Sequence, residues 1–265
     1  MTSADLIVSR PGPGVAAVSL NRPSARNALS LSLIHQLHVV IKTLGADAQV
    51  SAIVLSAEGP VFSSGHDLKE LTSHRGDADG GRAFYDTTMK SCAAMMQALV
   101  ACPRPVIAAV QGTATAAGCQ LVATSDLAVA AETARFATPG VNIGLFCSTP
   151  MVALSRNVSR KRAMEMLLLG EMLSANDAAA YGLVNRVVEP ERVLDEALDM
   201  ASLIASKSRT TVAIGKEAFY RQLEQPLAEA YAYAADVMTR NMMEMDAGEG
   251  ICAFLEKRDP KWQGS

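Results

Sequence analysis

The stretch PVIAAVQGTATAAGCQLVATSD, residues 105–126, decides the fold of this chain. Residues 106–110 form a continuous apolar run, which predicts a fully buried strand because buried parallel strands do not alternate with polar residues. Gly112 ends that strand, and residues 113–118 carry almost no side-chain bulk, so a ligand can approach their backbone N–H groups closely. Helical spacing begins at Ala116. The strand therefore leads through a turn of small residues into the N-terminus of a helix. The free N–H groups and the dipole at that end of a helix attract negative charge.

A second element of the same kind lies upstream. The segment EGPVFSSGHDLK, residues 58–69, follows a buried apolar run at 52–55 and turns on glycine before a helix start. One such turn is more often explained by close packing of small residues than by ligand binding. Two of them could direct two backbone amides at a single atom, where they would stabilise permanent charge or charge that develops in a transition state.

These two segments resemble a known family. FSSGHDLKEL, residues 62–71, is similar to the first half of the oxyanion hole in the crotonase (enoyl-CoA hydratase/isomerase) superfamily, and VQGTATAAGCQLVATSDLAVA, residues 110–130, to the second half. Three more segments resemble the family in the same order along the chain: SLNRPSARNAL, LLLGEMLSANDAAAYGLVNRVV and FLEKRDPKW. The resemblance covers nearly the whole chain, which is therefore identified as a member of the superfamily.

The pattern of elements predicts an α/β fold. Alternating strands and helices indicate a core with parallel sheets, and periodicity alone favours a Rossmann-like arrangement. The resemblance implies instead the crotonase-type ββα superhelix, or spiral, over residues 1–200, followed by a C-terminal helical region over residues 201–265. In the family that region builds trimers, often paired as hexamers. We therefore expect a homotrimer or a dimer of trimers, with the methionines at 238–245 at an interface.

Composition limits the possible partners and compartments. With 49% hydrophobic and 19% charged residues the chain can bury a substantial core. A net charge of −3 gives no general reason to expect nucleic acid or an anionic membrane as a partner, and no apolar run approaches the roughly 20 residues that span a bilayer. Five scattered cysteines and an N-terminus unlike a signal or transit peptide predict reduced thiols and a cytoplasmic location.

The resemblance implies that the substrate is an acyl-CoA thioester. Because coenzyme A is part of that substrate, no separate cofactor is expected, and the three-residue spacing of His35 and His38 is too weak to indicate a metal site. The guanidinium of Arg26 could bind a CoA phosphate, although a solvated surface arginine fits the residue equally well. The other implied contacts are the backbone at Ser64, Asp67, Leu68 and Lys69, and the side chains of Phe254 and Lys257, often from a neighbouring subunit.

The chemistry follows from the thioester. Removing a proton beside the carbonyl, or adding water to the neighbouring double bond, builds enolate charge on the thioester oxygen. By resemblance, the backbone N–H groups of His66 and Ala117 donate hydrogen bonds to that oxygen. Each such donor contributes about 3 kcal/mol in comparable sites.

The catalytic carboxylates of a hydratase are missing. Hydratases carry one glutamate just after the second oxyanion turn and another after the following strand, and the matching positions here are Gln120 and Gly140. Glutamine has no useful proton to exchange and glycine has no side chain. A positioned acid or base contributes about 10²–10⁴-fold, so the sequence predicts poor hydration of enoyl-CoA.

Several replacements remain open. The imidazole of His66 could transfer a proton, Gln120 could orient a water, and His74 with Asp77 or Asp79 could close over the site from a mobile loop at 72–81. Potential nucleophiles without an evident base are Cys119, Cys147 and Ser148. The chain is then a lyase, isomerase or hydrolase with a non-standard acid or base, or it binds acyl-CoA without catalysis. A third hypothesis, an ordinary enoyl-CoA hydratase, is disfavoured because Gln120 and Gly140 replace the two catalytic carboxylates.

Overall fold

Two β-sheets organise the chain in a computed structural model that describes residues 4–264. The larger sheet has the strand order β1-β2-β3-β5-β7-β10, and the smaller has the order β4-β6-β8-β9. The strands are β1 (Leu6–Gly12), β2 (Val15–Leu20), β3 (Ala52–Ala57), β4 (Val61–Ser63), β5 (Val106–Val110), β6 (Thr113–Thr115), β7 (Leu127–Ala131), β8 (Arg135–Ala137), β9 (Leu173–Ser174) and β10 (Arg186–Val188).

From β3 to β8, successive strands alternate between the two sheets. β3, β5 and β7 pair in parallel in the large sheet, while β4, β6 and β8 pair in parallel in the small one. A helix follows each pair, so the chain climbs in repeated ββα turns. This confirms the predicted spiral and excludes a Rossmann-like sheet. Every residue of β5 is buried, as its continuous apolar run predicts.

The helices are α1 (Leu31–Ala46), α2 (Leu68–Ser73), α3 (Arg82–Ala101), α4 (Ala117–Thr124), α5 (Pro150–Asn157), α6 (Arg160–Leu169), α7 (Ala175–Tyr181), α8 (Val193–Ala205), α9 (Arg209–Gln222), α10 (Leu227–Met242) and α11 (Met245–Glu256). Ser30 caps α1 by accepting a hydrogen bond from the N–H of Leu33 at 3.2 Å. None of the helices within residues 4–264 is long and apolar enough to cross a bilayer.

The segment expected to be a loop at 72–81 is partly helical. α2 continues to Ser73, and a single 3-10 turn follows at His74–Gly76. The ring of His74 stacks on Phe84 with 3.7 Å between centroids, and its Nδ1 lies 2.8 Å from a carboxylate oxygen of Asp77. Stacking and the hydrogen bond therefore order a stretch whose composition alone predicts irregular structure.

The C-terminal helices are tied to the sheet by a buried cluster. Lys216 on α9 donates to Asp126 at 2.6 Å and to the carbonyls of Leu99 and Arg104 at 3.1 and 3.3 Å. Tyr220 donates to the other oxygen of Asp126 at 2.9 Å. Beyond this cluster, α10 and α11 present large apolar side chains that are more than half exposed: Met238, Met242, Met243, Met245, Phe254 and Leu255.

Candidate active site

The first turn of the site lies between β4 and α2. Gly65 has a φ of +87°, and a Cβ there would lie 2.8 Å from the Cβ of Ala116, so only glycine fits. That same position is 3.1 Å from the backbone nitrogen of Ala117. The two glycine-bearing segments singled out from the sequence are therefore packed directly against each other.

The second turn lies between β6 and α4 and holds an alanine in a strained conformation. Ala116 has φ 50° and ψ −120°, a region that costs about 1–3 kcal/mol for a residue with a Cβ. Its N–H donates to the carbonyl of Ala137 at 2.9 Å, which fixes the turn to β8. The strained residue immediately precedes Ala117, the first residue of α4.

The amides of His66 and Ala117 have no acceptor. Neither N–H takes part in a hydrogen bond among residues 4–264, and the first residue of a helix has no partner within the helix itself. Two unpaired donors thus occur on adjacent turns, one of them at the positive end of α4. Two unpaired backbone donors on neighbouring turns have the chemistry to bind a negatively charged oxygen.

A short loop holds the first turn in place. Asn27, fully buried with a φ of 50°, donates to the carbonyls of Glu58 and Val61 at 2.9 and 2.7 Å. The hydroxyl of Ser63 donates to the carbonyl of Asn27 at 2.9 Å and accepts from the N–H of Gly65 at 3.3 Å. Sequence reasoning missed both side chains, although an asparagine, which tolerates a positive φ, inside a family-like segment is a usable signal.

Several backbone groups expected to contact CoA are already engaged. The N–H of Ser64 donates to the carbonyl of Arg26 at 3.1 Å, and that of Asp67 to Leu29 at 3.2 Å. The carboxylate of Asp67 caps α2 by accepting from Lys69 and pairs with Arg22 at 3.2 Å. Asp67 thus supports the loop, while Arg26 and Leu68 are exposed beside it.

Two polar side chains of these turns are largely shielded from solvent. Gln120 is 4% exposed, and its Oε1 has no hydrogen-bond partner among the described residues. The ring nitrogens of His66 are shielded from solvent and make no hydrogen bond of ordinary geometry within residues 4–264, while the backbone of Leu29 acts as a weaker partner that raises the pKa of the ring. Burial lowers the pKa of His66 below its ordinary 6.5, so the imidazole is neutral at neutral pH.

The space beside Gly140, which the resemblance matches to the second hydratase glutamate, is filled by other atoms. A Cβ on Gly140 would lie 2.9 Å from Cys147 Sγ and 2.9 Å from the carbonyl oxygen of Leu145. The N–H of Leu145 donates back to the carbonyl of Gly140 at 2.9 Å, which closes the loop on itself. Burial raises the pKa of the Cys147 thiol and raises that of Cys119 to about 12, so both remain protonated thiols at neutral pH.

A family model described as enoyl-CoA hydratase/isomerase matches residues 11–265. The chain belongs to the enoyl-CoA hydratase/isomerase family. It is 48% identical to the rat enoyl-CoA hydratase domain-containing protein 3, mitochondrial, over 97% of this chain and 84% of the rat protein.

Solved structures agree with this family membership. The crystal structure of an enoyl-CoA hydratase from Mycobacterium smegmatis is 51% identical, with a TM-score of 0.93 over 98% of this chain and 99% of that one. The structure of human enoyl-CoA hydratase domain-containing protein 3 is 46% identical, with a TM-score of 0.92 over 98% and 100% of the two chains. The cytoplasmic location expected from the sequence is wrong by this comparison, because the rat and human relatives are named as mitochondrial.

Other predicted residues of this enoyl-CoA hydratase/isomerase family member lie away from the two turns. Phe254 is 83% exposed on α11, and Lys257 caps that helix with a φ of 55°. α11 packs chiefly against α9 and α10, so a single chain does not bring these residues to the turns. His74 is engaged with Asp77, whereas Asp79 caps α3 by accepting from the N–H groups of Gly81 and Ala83.

Proposed function

We propose that this enoyl-CoA hydratase/isomerase family member binds acyl-CoA thioesters and stabilises their enolate form with the N–H groups of His66 and Ala117. The observation that carries the proposal is the pair of unpaired amides on turns in direct contact. Thioester carbonyls gain negative charge whenever a proton leaves the adjacent carbon. Two fixed donors favour that charge over the neutral ground state, which is what lowers the barrier.

The proton must be handled by a non-standard group, because position 120 is glutamine and position 140 is glycine. Two amide donors without a catalytic carboxylate at positions 120 and 140 fit enolate chemistry, such as isomerisation or α-proton exchange, better than hydration. Hydration also needs an activated water. We expect turnover of crotonyl-CoA to fall well below the usual enzyme range of about 1–10³ s⁻¹. The loss of ultraviolet absorbance of the conjugated double bond measures the turnover of crotonyl-CoA. Turnover within that range would contradict the proposed chemistry.

A second candidate is binding or sequestering of acyl-CoA without catalysis. The same two missing carboxylates favour it. Deuterium incorporation at the α-carbon of butyryl-CoA in D₂O, followed by mass spectrometry, distinguishes the two candidates. Exchange above the uncatalysed rate supports the enzyme; micromolar binding in calorimetry without exchange supports the binder. Absence of binding to any CoA ester refutes both.

The role of the Ala117 amide can be tested alone. Ala117→Pro removes the N–H at the first position of α4, where proline suits a helix; lactic acid at position 117 removes it without adding ring atoms. Either change should slow α-proton exchange about 10²–10³-fold. Ala117→Gly keeps the donor and is the matched control. An unchanged rate in folded protein lacking this N–H would refute the assignment.

We also propose that the chain assembles as a trimer or a dimer of trimers through the exposed apolar side chains of α10 and α11. In such an assembly Phe254 and Lys257 are free to reach a neighbour's substrate, and Arg26 contacts the CoA phosphates. Light scattering reports the mass of the assembly. Lys257→Ala and Arg26→Ala should each weaken CoA ester binding, more strongly at low salt.

A further inference from the structure

A cleft at the N-terminal end of β5 shares no lining residue with the two turns of the candidate active site. It lies between the end of α3 and α9 and has a volume of about 750 Å³, a size typical of small-molecule sites. Arg104, which precedes β5, and Arg209, the first residue of α9, both line it. Because a strand rises about 3.3 Å per residue, roughly 13 Å of β5 separates this arginine cleft from the turns beyond the other end of the strand.

The two guanidinium groups are held against the same short segment of backbone. Arg104 donates to the carbonyl of Asp47 at 3.4 Å, and Arg209 donates to the carbonyl of the next residue, Ala48. Arg209 also donates to the carbonyl of Gly264 at 2.8 Å. Two positive charges therefore stand close together. Burial and, after it, the like charge of Arg209 lower the pKa of Arg104, although a guanidinium keeps its charge at any ordinary pH.

Neither guanidinium is neutralised by a carboxylate of the described chain. No carboxylate oxygen of residues 4–264 lies within 4.0 Å of Arg104 or Arg209. Asp47 attracts Arg104, but its carboxylate is bound by Arg10 at 2.5 Å. Two more carboxylates of this region are engaged elsewhere: Asp126 with Lys216 and Tyr220, and Asp246 with Ser208 and the N–H groups of Gln263 and Gly264.

Arg104 also carries an unused hydrogen-bond donor. Its Nε is shielded from solvent and has no partner among residues 4–264. Buried donors nearly always have a partner, because an unmade hydrogen bond is costly inside a protein. A paired charge of one sign and a donor without an acceptor, in one cleft, both call for an anion.

The walls of the arginine cleft suit an anion with an apolar body. Its apolar lining residues are Val100, Ala101, Pro103, Ala213 and Ile214. Among the described lining residues, Arg221 supplies a third guanidinium, and Glu217 is the one acid. Glu217 is exposed and forms no ion pair within residues 4–264. Positive charge therefore exceeds negative charge along the cleft.

The charge of the arginine pair selects the chemical group. The planar fork of a guanidinium matches the oxygens of carboxylates and phosphates. A monocarboxylate brings one negative charge, whereas a phosphate monoester brings about 1.5 to 2 at pH 7 together with three acceptor oxygens. A phosphoryl group therefore balances two adjacent arginines better than a carboxylate does.

We propose that Arg104 and Arg209 form a binding site for a dianionic phosphoryl group, separate from the acyl-CoA site. The phosphoryl group is that of a small phosphate monoester or of free phosphate. The site goes beyond the proposed function and does not depend on it, since it needs no CoA ester.

Calorimetry on the intact protein tests the site at low salt, in a buffer free of phosphate and sulfate. The probes are phenyl phosphate, inorganic phosphate and benzoate, which is the monocarboxylate matched to phenyl phosphate. We expect phenyl phosphate to bind with a dissociation constant of about 1 mM or below, and about tenfold or more tightly than benzoate. Inorganic phosphate identifies the source: equal affinity indicates free phosphate, and weaker binding indicates a monoester whose body contacts the apolar wall.

Substitutions identify the residues that hold the phosphoryl group. Arg104→Met and Arg209→Met keep an aliphatic side chain and remove the guanidinium, so each should weaken phenyl phosphate binding about tenfold or more. Arg209 also holds two backbone carbonyls; Arg209→Lys, which keeps the charge and loses the fork, provides the test if the methionine variant does not fold, and should also weaken binding. Arg26→Met is the matched control, because Arg26 is the arginine proposed to contact the CoA phosphates.

The outcomes are distinct from those of the enolate proposal. Benzoate that binds as tightly as phenyl phosphate would overturn the assignment of a dianion. Undiminished binding in folded variants of Arg104 and Arg209, or loss of binding in Arg26→Met, would place the phosphate elsewhere and overturn the site. No binding of either phosphate at ten times the expected dissociation constant would overturn it as well. Each of these results would leave acyl-CoA binding and α-proton exchange unaffected.

Discussion

Gly140→Ala places a methyl group in space that the fold already fills. A Cβ at this position lies 2.9 Å from both Cys147 Sγ and the carbonyl oxygen of Leu145, closer than real Cβ contacts. One neighbour is a side-chain atom that can be deleted, whereas the other is backbone. Overpacking of this kind costs about 1–3 kcal/mol. Because each kcal/mol moves the melting temperature of a chain of this size by about 2–4 °C, we expect a loss of at least a few degrees.

A double-mutant cycle tests the geometry directly. Denaturant titrations would compare wild type, Gly140→Ala, Cys147→Ala and the double variant. Removing Sγ frees one of the two close contacts, so the cost of the Gly140 methyl should be smaller in the Cys147→Ala background by about 0.5–3 kcal/mol. The stability lost through Gly140→Ala should be recovered only in part, because the close contact with the carbonyl oxygen of Leu145 remains. Equal costs in both backgrounds, or no cost in the wild type, would refute the reasoning.

The same crowding bears on attempts to restore a hydratase. Gln120→Glu with Gly140→Glu supplies both missing carboxylates in sequence, but the second side chain begins in occupied space. We therefore expect this pair to reduce stability without a gain in crotonyl-CoA hydration. A large increase in crotonyl-CoA hydration would show that the loop around Cys147 rearranges at little cost and that the two carboxylates are all that hydration requires.

Three further predictions concern the site and its supports. Ala116→Gly should relieve the strained backbone and raise the free energy of unfolding by about 1–2 kcal/mol, measured by denaturant titration. Lys216→Met should destabilise the protein by about 3 kcal/mol, because the half-buried carboxylate of Asp126 loses its cation and keeps the Tyr220 hydroxyl and the Val106 N–H as donors; Lys216→Met with Asp126→Asn should cost less than the single change. The lowered pKa of His66 means that the unfolded chain binds its proton more readily, so the free energy of unfolding should decrease as pH falls below about 6.5, and less so in His66→Gln.

Local patterns predict the fold well where a single segment determines the structure. The strand predicted from the buried run at 106–110 depends only on nearby residues, and the structure confirms it. The C-terminal helical region predicted over residues 201–265 contains α9, α10 and α11. The spiral itself could be reached only through family resemblance, since strand periodicity does not say which of two sheets a strand joins.

The candidate site was predictable in outline and not in its contacts. Both glycine turns are visible in the sequence, but their packing depends on the contact between Gly65 and Ala116, residues far apart in the chain. The filling of the Gly140 position by Cys147 depends likewise on the path of the loop between them. Asn27 supports a turn more than thirty residues away through its side-chain amide. Such contacts arise from tertiary packing, which one sequence without aligned relatives does not reveal.

The cluster around Asp126 couples α9 to the candidate site. Asp126 accepts from the N–H of Val106 at 2.7 Å, at the beginning of β5, whose other end leads through β6 into the turn before α4. Lys216, on α9, donates a hydrogen bond to that carboxylate. A chain truncated after residue 206 would lack Lys216 and Tyr220, so Asp126 would no longer connect the start of β5 to α9. The C-terminal region proposed to mediate assembly therefore also braces, through α9, the strand that leads into the second turn of the candidate site.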